Sequence, residues 1–407
     1  MNDNLWATPG TSPLRTLLDQ AAGTLDRPIE KARGLPNQAF TSAEFLHAEN
    51  QLLFPRCWVF AGLASDVPEA GDVQPVTVAG RNLILVRGAD GDVRVFYNVC
   101  PHRGTRLVDE PLKQKSFITC PYHGWSFNLA GEVKSRPHYF GPEQHDRTGI
   151  HEEEPACLFP VASDRMHDWV FVNLDGEAGS FADFMQPISD SLAHINLGAF
   201  KRDTTLNMTV EFRCNWKLAV ENFHDYYHVF KIHPKLHKMM TDDTRHSMES
   251  WVMHLFNGFR FSGEGRGLSV DDGGPTLPMV PDLPEDLHNH HIHAHVFPNA
   301  ELTYFPSNLQ ITWFEPVSTD FTRMHMRFYF VGDAASDDHH RDARHTLYDE
   351  WTALNAEDEG VCAKLQEGRA CDAYDGGRLT AHWDVSTVQY QKQLVAVMRG
   401  EGAFARP

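Results

Sequence analysis

Two short stretches of the sequence decide the fold of this chain: CPHRG at residues 100–104 and CPYHGW at residues 120–125. Each stretch brings one cysteine and one histidine close together, and 17 residues separate His102 from Cys120. Two thiolates and two imidazoles can hold a zinc ion in a tetrahedral cage. They can also hold a [2Fe–2S] cluster, with the thiolates on one iron and the imidazoles on the other.

The sequence around these stretches favours the iron–sulfur cluster. Zinc fingers follow their ligands with a short helix and usually end on two closely spaced histidines. Here each stretch combines both residue types and lies among segments rich in β-branched residues, at 73–78, 82–87 and 93–99. We therefore expect a small all-β domain over about residues 52–160, with a [2Fe–2S] cluster on Cys100, His102, Cys120 and His123.

Length and composition set broad limits. The chain has 407 residues, enough for two domains with cores of their own. Its formal net charge of −19 argues against nucleic acid as a partner, because phosphate binding needs a basic surface. We expect a cytoplasmic protein without a membrane partner, since neither a signal peptide nor an apolar run of ~18 residues is evident. Seven cysteines, an odd number, do not suggest a disulfide framework.

Residues 215–234, NWKLAVENFHDYYHVFKIHP, carry the second group of candidate metal ligands. Asp225 and His228 are three residues apart and would share one face of a helix. His228 and His233 are out of phase on a straight helix, but the following proline disfavours the α conformation at His233, which can then bend back. His224 and His228 are a rival pair, at the usual spacing of helical metal ligands.

A helix expected over residues 342–366 offers the carboxylate that completes an iron site of two histidines and one acid. One face of it repeats at intervals of four and three residues, and Asp358 is the only polar member among Leu347, Trp351, Leu354, Val361 and Leu365. A buried carboxylate needs a cation, so Asp358 is either a metal ligand or half of a buried ion pair. Its neighbours Glu357 and Glu359 fall off this face and should be solvated.

The rest of the chain reads as an α+β domain. Helical sequence at 216–232 and 342–366 alternates with strand-like segments, which lie at 205–212, 293–297, 309–314 and 324–331. Residues 263–283, rich in glycine, proline and aspartate, should form a long loop or lid. The histidines between residues 288 and 295 alternate as on one face of a strand, and we expect no separate metal site there.

The two cysteine–histidine boxes and the pattern Asn-Trp-Lys, Glu-Asn, Asp-x-x-His, x₄, His resemble those of Rieske non-haem iron ring-hydroxylating oxygenases. The resemblance is to the catalytic (α) subunit and extends over about residues 40–400. It implies an α+β fold, with a small all-β Rieske [2Fe–2S] domain and a larger helix-grip (START/SRPBCC-like) antiparallel-sheet catalytic domain. The catalytic domain would take up residues 1–51 and 161–407.

The resemblance also implies roles for individual residues. It assigns a mononuclear Fe(II) to His228, His233 and Asp358, in preference to the rival histidine pair. Asp225 would hydrogen-bond a ligand histidine and carry electrons from the Rieske cluster of a neighbouring subunit, in a head-to-tail homotrimer. Asn222 would lie near the iron.

The activity implied is that of the terminal component of an oxygenase, which activates O₂ with electrons from NAD(P)H. A separate reductase or ferredoxin should supply them, because no G-x-G-x-x-G follows a strand in this chain. Asp225 favours hydroxylation or dioxygenation of a small aromatic substrate, since relatives that act on quaternary ammonium compounds often have glutamate there. The alternatives are N-demethylation or monooxygenation of a quaternary ammonium or betaine-like compound and, in another class, a non-catalytic Rieske electron carrier.

Overall fold

The computed structural model describes residues 13–146, 156–239, 248–251, 254–260 and 276–401. Two compact units make up the chain: Trp58–Ala178, and Met1–Cys57 together with Gly179–Pro407. The first domain was expected over about residues 52–160; the compact unit extends further because two later strands complete its sheet. Among the described residues, every helix is too short or too polar to cross a lipid bilayer.

The smaller unit is all-β. Its strands are β1 (Trp58–Leu63), β2 (Val73–Val78), β3 (Arg81–Arg87), β4 (Val93–Tyr97), β5 (Ile118–Thr119), β6 (Ser126–Phe127), β7 (Val133–Ser135), β8 (Pro160–Met166) and β9 (Trp169–Asn173). A six-stranded sheet has the order β1-β9-β8-β4-β3-β2, and a three-stranded sheet has the order β5-β6-β7. Cys100 and Cys120 belong to the same cluster of buried side chains as Ile84, Phe96 and Phe127. The cysteine boxes are therefore anchored in the core.

The larger unit contains a seven-stranded antiparallel sheet. Its strands are β10 (Phe200–Phe212), β11 (Met248–Trp251), β12 (His254–Arg260), β13 (His290–Val296), β14 (Ala300–Phe305), β15 (Asn308–Pro316) and β16 (Thr322–Val331). They are ordered β10-β16-β15-β14-β13-β12-β11. Of the loop or lid expected over residues 263–283, the part before residue 276 lies outside the described residues.

Helices surround this sheet. They are α1 (Pro13–Leu25), α2 (Gln38–Thr41), α3 (Ala43–Ala48), α4 (Phe181–Ser191), α5 (Trp216–His224), α6 (Val229–Ile232), α7 (Pro234–Met239), α8 (Arg341–Arg369) and α9 (Val385–Arg399). Helix α5 contacts β15 and α8, and α8 also contacts β10. The α+β fold with a long helix packed on an antiparallel sheet is the one that the sequence predicted.

The segment predicted as one helix over residues 216–232 is broken in the structure. Helix α5 ends at His224, and Asp225 takes an extended conformation with φ −86° and ψ 93°. Its carboxylate accepts a hydrogen bond from the backbone N–H of Tyr227 at 2.7 Å, and such local bonds compete with the helix. The predicted departure of His233 from the helix is confirmed, because its ψ is 65°.

A buried ion pair ties α5 to the N-terminal part of the same unit. Lys217 Nζ lies 2.6 Å from Glu49 Oε1, and neither side chain has exposed surface. The indole N–H of Trp216 donates to the other carboxylate oxygen at 2.9 Å. Burial lowers the pKa of Lys217 and raises that of Glu49, and each charge partly offsets this effect in its partner. The contact thus fixes the helix that leads into Asp225.

We predict that Lys217→Met lowers the free energy of unfolding by about 3–5 kcal/mol, because it leaves the Glu49 carboxylate buried without its cation. Urea unfolding followed by circular dichroism measures the loss. The matched control is Lys201→Met, which removes an exposed lysine 2.9 Å from Asp333 and should leave the unfolding curve in place. Equal effects of the two substitutions would show that burial does not determine how much the Lys217–Glu49 pair contributes to stability.

Candidate metal centres and active-site cavity

The two cysteine–histidine loops have the same backbone structure. In each, the cysteine N–H donates to the carbonyl oxygen five residues later, at 2.8 Å for Cys100 and 2.7 Å for Cys120. The glycine four residues after each cysteine donates back to the cysteine carbonyl oxygen, at 2.9 Å for Gly104 and 3.1 Å for Gly124. Both glycines have a positive φ, 72° and 74°, which residues with a side chain rarely adopt. The loops are therefore matched halves of one site.

The four predicted cluster ligands have their thiols inside the unit and their imidazoles at its surface. Cys100 and Cys120 are buried, and burial raises the pKa of the Cys100 thiol, which the backbone N–H of His102 partly offsets. His102 and His123 are exposed, and their ring centroids are 4.8 Å apart. His102 also stacks on the Trp125 ring at a centroid distance of 4.6 Å. The exposed imidazoles are thus held in a fixed orientation.

The spacing of these donor atoms distinguishes a two-iron cluster from a single zinc ion. Zinc ligands lie about 2.0–2.3 Å from the metal, so their atoms must be within about 4 Å of one another. In the part of the chain that the structure describes, three sets of side chains place three donor atoms within 4.8 Å, and none includes these four residues. The four donors therefore do not form a compact set of the kind that a single zinc ion needs, and two thiolates with two imidazoles are the donor set of a Rieske [2Fe–2S] cluster.

The second group of predicted ligands also comes together. His228 follows the helix break, His233 ends α6, and Asp358 lies on the buried face of α8. Asp358 Oδ1 lies 2.8 Å from His233 Nε2 and 3.4 Å from His228 Nε2. These three side chains form one of the sets whose donor atoms lie within 4.8 Å of one another. Two imidazoles and one carboxylate are the donor set of mononuclear iron oxygenases.

Carboxylates also lie on the far sides of both imidazoles. His233 Nδ1 lies 2.7 Å from Glu357 Oε2, and His228 Nδ1 lies 3.6 Å from Asp225 Oδ2. Metal-bound histidines usually direct their second N–H at such a partner, which aims the other nitrogen at the metal. Burial favours the neutral imidazole, but the carboxylates of Asp225 and Asp358 raise the pKa of His228 to about 9. Glu357, expected to be solvated, is half-exposed and bonds a candidate ligand.

The histidine tract contributes to a separate buried cluster around Glu301. His224 Nε2 and His295 Nδ1 lie 2.9 and 2.8 Å from Glu301 Oε1, and His293 Nε2 lies 2.9 Å from Oε2. His224 therefore belongs to this cluster and not to the His228 set, so the rival pair allowed by helical spacing is wrong. The sequence analysis missed Glu301 because all six residues of β14 are buried, which leaves no alternating pattern. Alternating histidines followed by a lone acid in an apolar run were the available signal.

A cavity adjoins the His228 set, with a volume of about 610 Å³ that includes space open to solvent. Its walls include the aromatic side chains of Phe223, Tyr226, Phe305 and Trp351. His291 and His293 also line it, and burial keeps the pKa of His291 well below its usual value. Asn222 and Asp225, both singled out in the sequence, lie at its wall. Neither lysine nor arginine is among the described residues that line it.

The models of two protein families match two successive parts of the chain. Residues 57–141 match the model of the Rieske [2Fe–2S] domain. Residues 200–400 match the model of the ring hydroxylating alpha subunit (catalytic domain). The two matches together cover more than half of the chain.

Two named relatives are similar to this chain, one over most of its length and one over a little more than half. The oxygenase subunit of carnitine monooxygenase from Acinetobacter pittii is 27% identical over 354 residues, 84% of this chain and 87% of that protein. The oxygenase subunit of glycine betaine monooxygenase from Chromohalobacter salexigens is 30% identical over 238 residues, 57% of this chain and 51% of that protein.

Solved structures with the same fold include two kinds of oxygenase. A quaternary ammonium Rieske monooxygenase gives a TM-score of 0.76 at 20% identity, covering 93% of this chain and 98% of that one. Naphthalene 1,2-dioxygenase from Rhodococcus sp. gives a TM-score of 0.75 at 18% identity, covering 96% and 99%. At these identities the likeness shows the fold alone.

Proposed function

Because this chain belongs to the Rieske non-haem iron oxygenases, we propose that it oxidises a small quaternary ammonium compound at a carbon bound to nitrogen. As a member of that family it is the terminal oxygenase component, an enzyme with a [2Fe–2S] cluster and a mononuclear iron. In the proposed reaction, one oxygen atom of O₂ enters a C–H bond and the other leaves as water, with two electrons and two protons supplied from outside. The hydroxylated carbon then leaves the nitrogen as an aldehyde, so that N-demethylation yields formaldehyde and a tertiary amine.

One observation carries this proposal: the cavity beside the candidate iron ligands has aromatic walls and, in its described part, lacks lysine and arginine. A quaternary ammonium group cannot donate a hydrogen bond and is recognised by aromatic faces and negative charge. An aromatic acid seated in this cavity would instead need a cationic side chain for its carboxylate. The relatives named for carnitine and glycine betaine support the same substrate class.

In this proposal each metal centre is held by the residues that the sequence singled out: the cluster by Cys100, Cys120, His102 and His123, and the iron by His228, His233 and Asp358. When bound, these groups supply an electron store and a metal that activates O₂ beside the substrate. The protein supplies orientation, because Glu357 and Asp225 lie at the outer nitrogens of His233 and His228 and both Nε2 atoms face the third ligand. Asn222, buried at the cavity wall, offers an amide that can orient the substrate.

In this proposal, electrons for an iron held by His228, His233 and Asp358 would pass between neighbouring copies of the chain. In the larger unit, the partly exposed Asp225 is followed by Tyr227, a half-exposed ring. In the smaller unit, the exposed imidazoles of His102 and His123 lie beside Tyr122, whose ring is also exposed. Aromatic side chains are enriched where proteins associate. A head-to-tail homotrimer joins two different surfaces of this kind in a closed ring.

The electrons come from a separate partner. An NAD(P)H-dependent reductase or ferredoxin supplies them, which places the enzyme in the cytoplasm, where NAD(P)H is available. The two pieces of support are that the terminal oxygenases of this family work with such a partner and that the sequence offers no nucleotide-binding motif after a strand.

Hydroxylation of a neutral aromatic compound is the second candidate. Asp225 favours it, because quaternary ammonium relatives often have glutamate at this position, and the aromatic walls of the cavity also suit a ring. We rank it second because sequence relatives that match over most of the chain are named for quaternary ammonium compounds. The non-catalytic electron carrier is not compatible with membership of an oxygenase family.

Single turnover of the chemically reduced, iron-loaded protein tests the substrate class. After addition of O₂, we expect choline, glycine betaine or L-carnitine to release an aldehyde, and mass spectrometry to detect the amine left behind. Naphthalene and salicylate serve as controls and should be recovered unchanged. Oxygen gained by naphthalene, with no aldehyde from any ammonium compound, would make the second candidate correct, and oxygen gained by salicylate would refute both.

We predict that Glu357→Ala weakens binding of the mononuclear iron by about 10–100-fold, because His233 loses the partner of its Nδ1. Competition with a chelator measures the affinity, and visible absorption checks that the [2Fe–2S] cluster is retained. The matched control is Glu359→Ala on the same helix, whose carboxylate lies 2.8 Å from Arg213 Nε. Equal iron loss in both variants would refute the orienting role of Glu357.

We predict that Asp225→Asn keeps both metal centres but loses turnover with the reductase, because electrons no longer reach the iron. His102→Ala should also be inactive, through loss of the cluster. Coexpression of the two variants should restore activity, since a mixed ring joins the intact cluster of one copy to the intact Asp225 of the next. No activity in mixed trimers of verified composition would contradict transfer between copies.

A further inference from the structure

Glu301 is a fully buried carboxylate with three histidine partners and no part in the iron site proposed above. Its Oε1 atom lies 2.9 Å from His224 Nε2 and 2.8 Å from His295 Nδ1. Its Oε2 atom lies 2.9 Å from the Nε2 atom of His293, which lines the cavity. Glu301 therefore reaches the cavity wall through one imidazole.

The donor atoms of His224, His295 and Glu301 are close enough to hold a metal ion, but their surroundings argue against one. A metal-bound imidazole usually gives its second N–H to an acceptor. Within the described residues, His224 Nδ1 and His295 Nε2 have no hydrogen-bond partner. At the candidate iron site one outer nitrogen, His233 Nδ1, has a carboxylate oxygen at 2.7 Å, whereas His228 Nδ1 has the Asp225 carboxylate at 3.6 Å, beyond hydrogen-bond distance. The cluster is therefore a hydrogen-bonded carboxylate, with one N–H from each imidazole directed at Glu301.

Three imidazole contacts keep the buried Glu301 carboxylate ionised. Burial would raise the pKa of Glu301, but the surrounding imidazoles hold it well below its usual range, so this side chain is an anion. Burial lowers the pKa of His295 to about 4, which leaves this imidazole neutral near pH 7.

We propose that the Glu301 carboxylate, joined to the cavity wall by His293, determines the enzyme's preference for a positively charged substrate. This inference rests on the proposed function, because the quaternary ammonium group occupies the cavity that His293 lines. The hydrogen bond to Glu301 makes the imidazole electron-rich on its remaining side. Because the surrounding interior is poorly polarisable, the buried charge acts across the imidazole with little screening.

The arrangement suits a cation that has no N–H group. Such a cation cannot satisfy the oxygens of a bare carboxylate in a dry cavity, whereas Glu301 is already satisfied by three imidazoles. Phe223 and Tyr226 stand next to His293, with ring centroids 6.0 and 6.3 Å from its own. Their π-electrons and the charge beyond the imidazole attract the same ligand. An uncharged compound of equal shape gains only from burial.

Glu301→Gln tests this role with two probes of the same shape. Choline carries the positive nitrogen, and 3,3-dimethylbutan-1-ol has a neutral carbon in its place. Calorimetric binding to the iron-loaded protein without O₂ gives the ratio of the two affinities. Wild type should favour choline, and Glu301→Gln should reduce that preference by about tenfold. The matched control is Glu315→Gln on β15, whose carboxylate pairs with His325 at 3.2 Å on the same sheet and is not among the described lining residues.

Each outcome has one meaning. Retention of the preference in Glu301→Gln, or equal weakening of both probes, would overturn the role of Glu301 while leaving the proposed function intact. A wild-type protein that does not favour choline would overturn both. Metal analysis adds an independent check: a fourth metal ion per chain that is lost in Glu301→Gln would make the cluster a metal site and refute the proposal.

A second variant covers the case in which Glu301→Gln does not fold. His293→Asn shortens the side chain between Glu301 and the cavity but leaves the carboxylate and its two other histidines in place. The preference for choline should then persist, because the charge remains. Its loss in a folded, iron-loaded His293→Asn protein would show that the imidazole, and not the carboxylate, recognises the cation.

Discussion

Two imidazoles share one carboxylate oxygen in the interior of the larger unit, and the organisation of that unit follows from this contact. Burial would raise the pKa of Asp358, and the two imidazoles lower it and keep the acid ionised. The acid is carried by the long helix α8, whereas both imidazoles come from the irregular segment after α5. Lys217 and Glu49 fix the start of that segment through a contact without solvent. Because the helix breaks at Asp225, both imidazoles can reach the buried Asp358 carboxylate.

The parts of this arrangement that the sequence could predict depend on close neighbours along the chain. In the sequence pattern of α8, Asp358 is the one polar member of an apolar stripe, and Pro234 disfavours the helical conformation at the residue before it. The stripe was only partly right, because the structure also buries Arg344 and Asn355 on α8 and exposes Leu365. The two cysteine–histidine boxes have the same turn structure, and the spacing of cysteine and histidine within each box identified the four candidate donors. Strand alternation and helical periodicity likewise identified the α+β fold. Local geometry and residue spacing decide all of these features.

The remaining features depend on segments that are far apart in the sequence. Glu301 meets His224 across 77 residues, and no periodicity marks its uniformly buried strand. Glu357 contacts His233 across 124 residues of sequence. Its position next to Asp358, off the apolar stripe, gave no sign of this contact. The substrate class was inferred from Asp225 alone, which favoured an aromatic compound. The cavity brings together side chains from α5, β13, β14 and α8, and its walls are the basis for the quaternary ammonium substrate that we propose.

Three consecutive acids on α8 serve three different partners. Glu357 bonds a ligand histidine, Asp358 faces the ligand set, and Glu359 pairs with Arg213 on the other side of the helix. Successive residues of a helix are about 100° apart, so the three carboxylates point in different directions and each meets a different partner. Adding or deleting one residue upstream in the helix would rotate all three acids by about 100° away from their partners, although the acids themselves would remain. In evolutionary terms, this helix should tolerate substitutions on its exposed face far better than any change in its length.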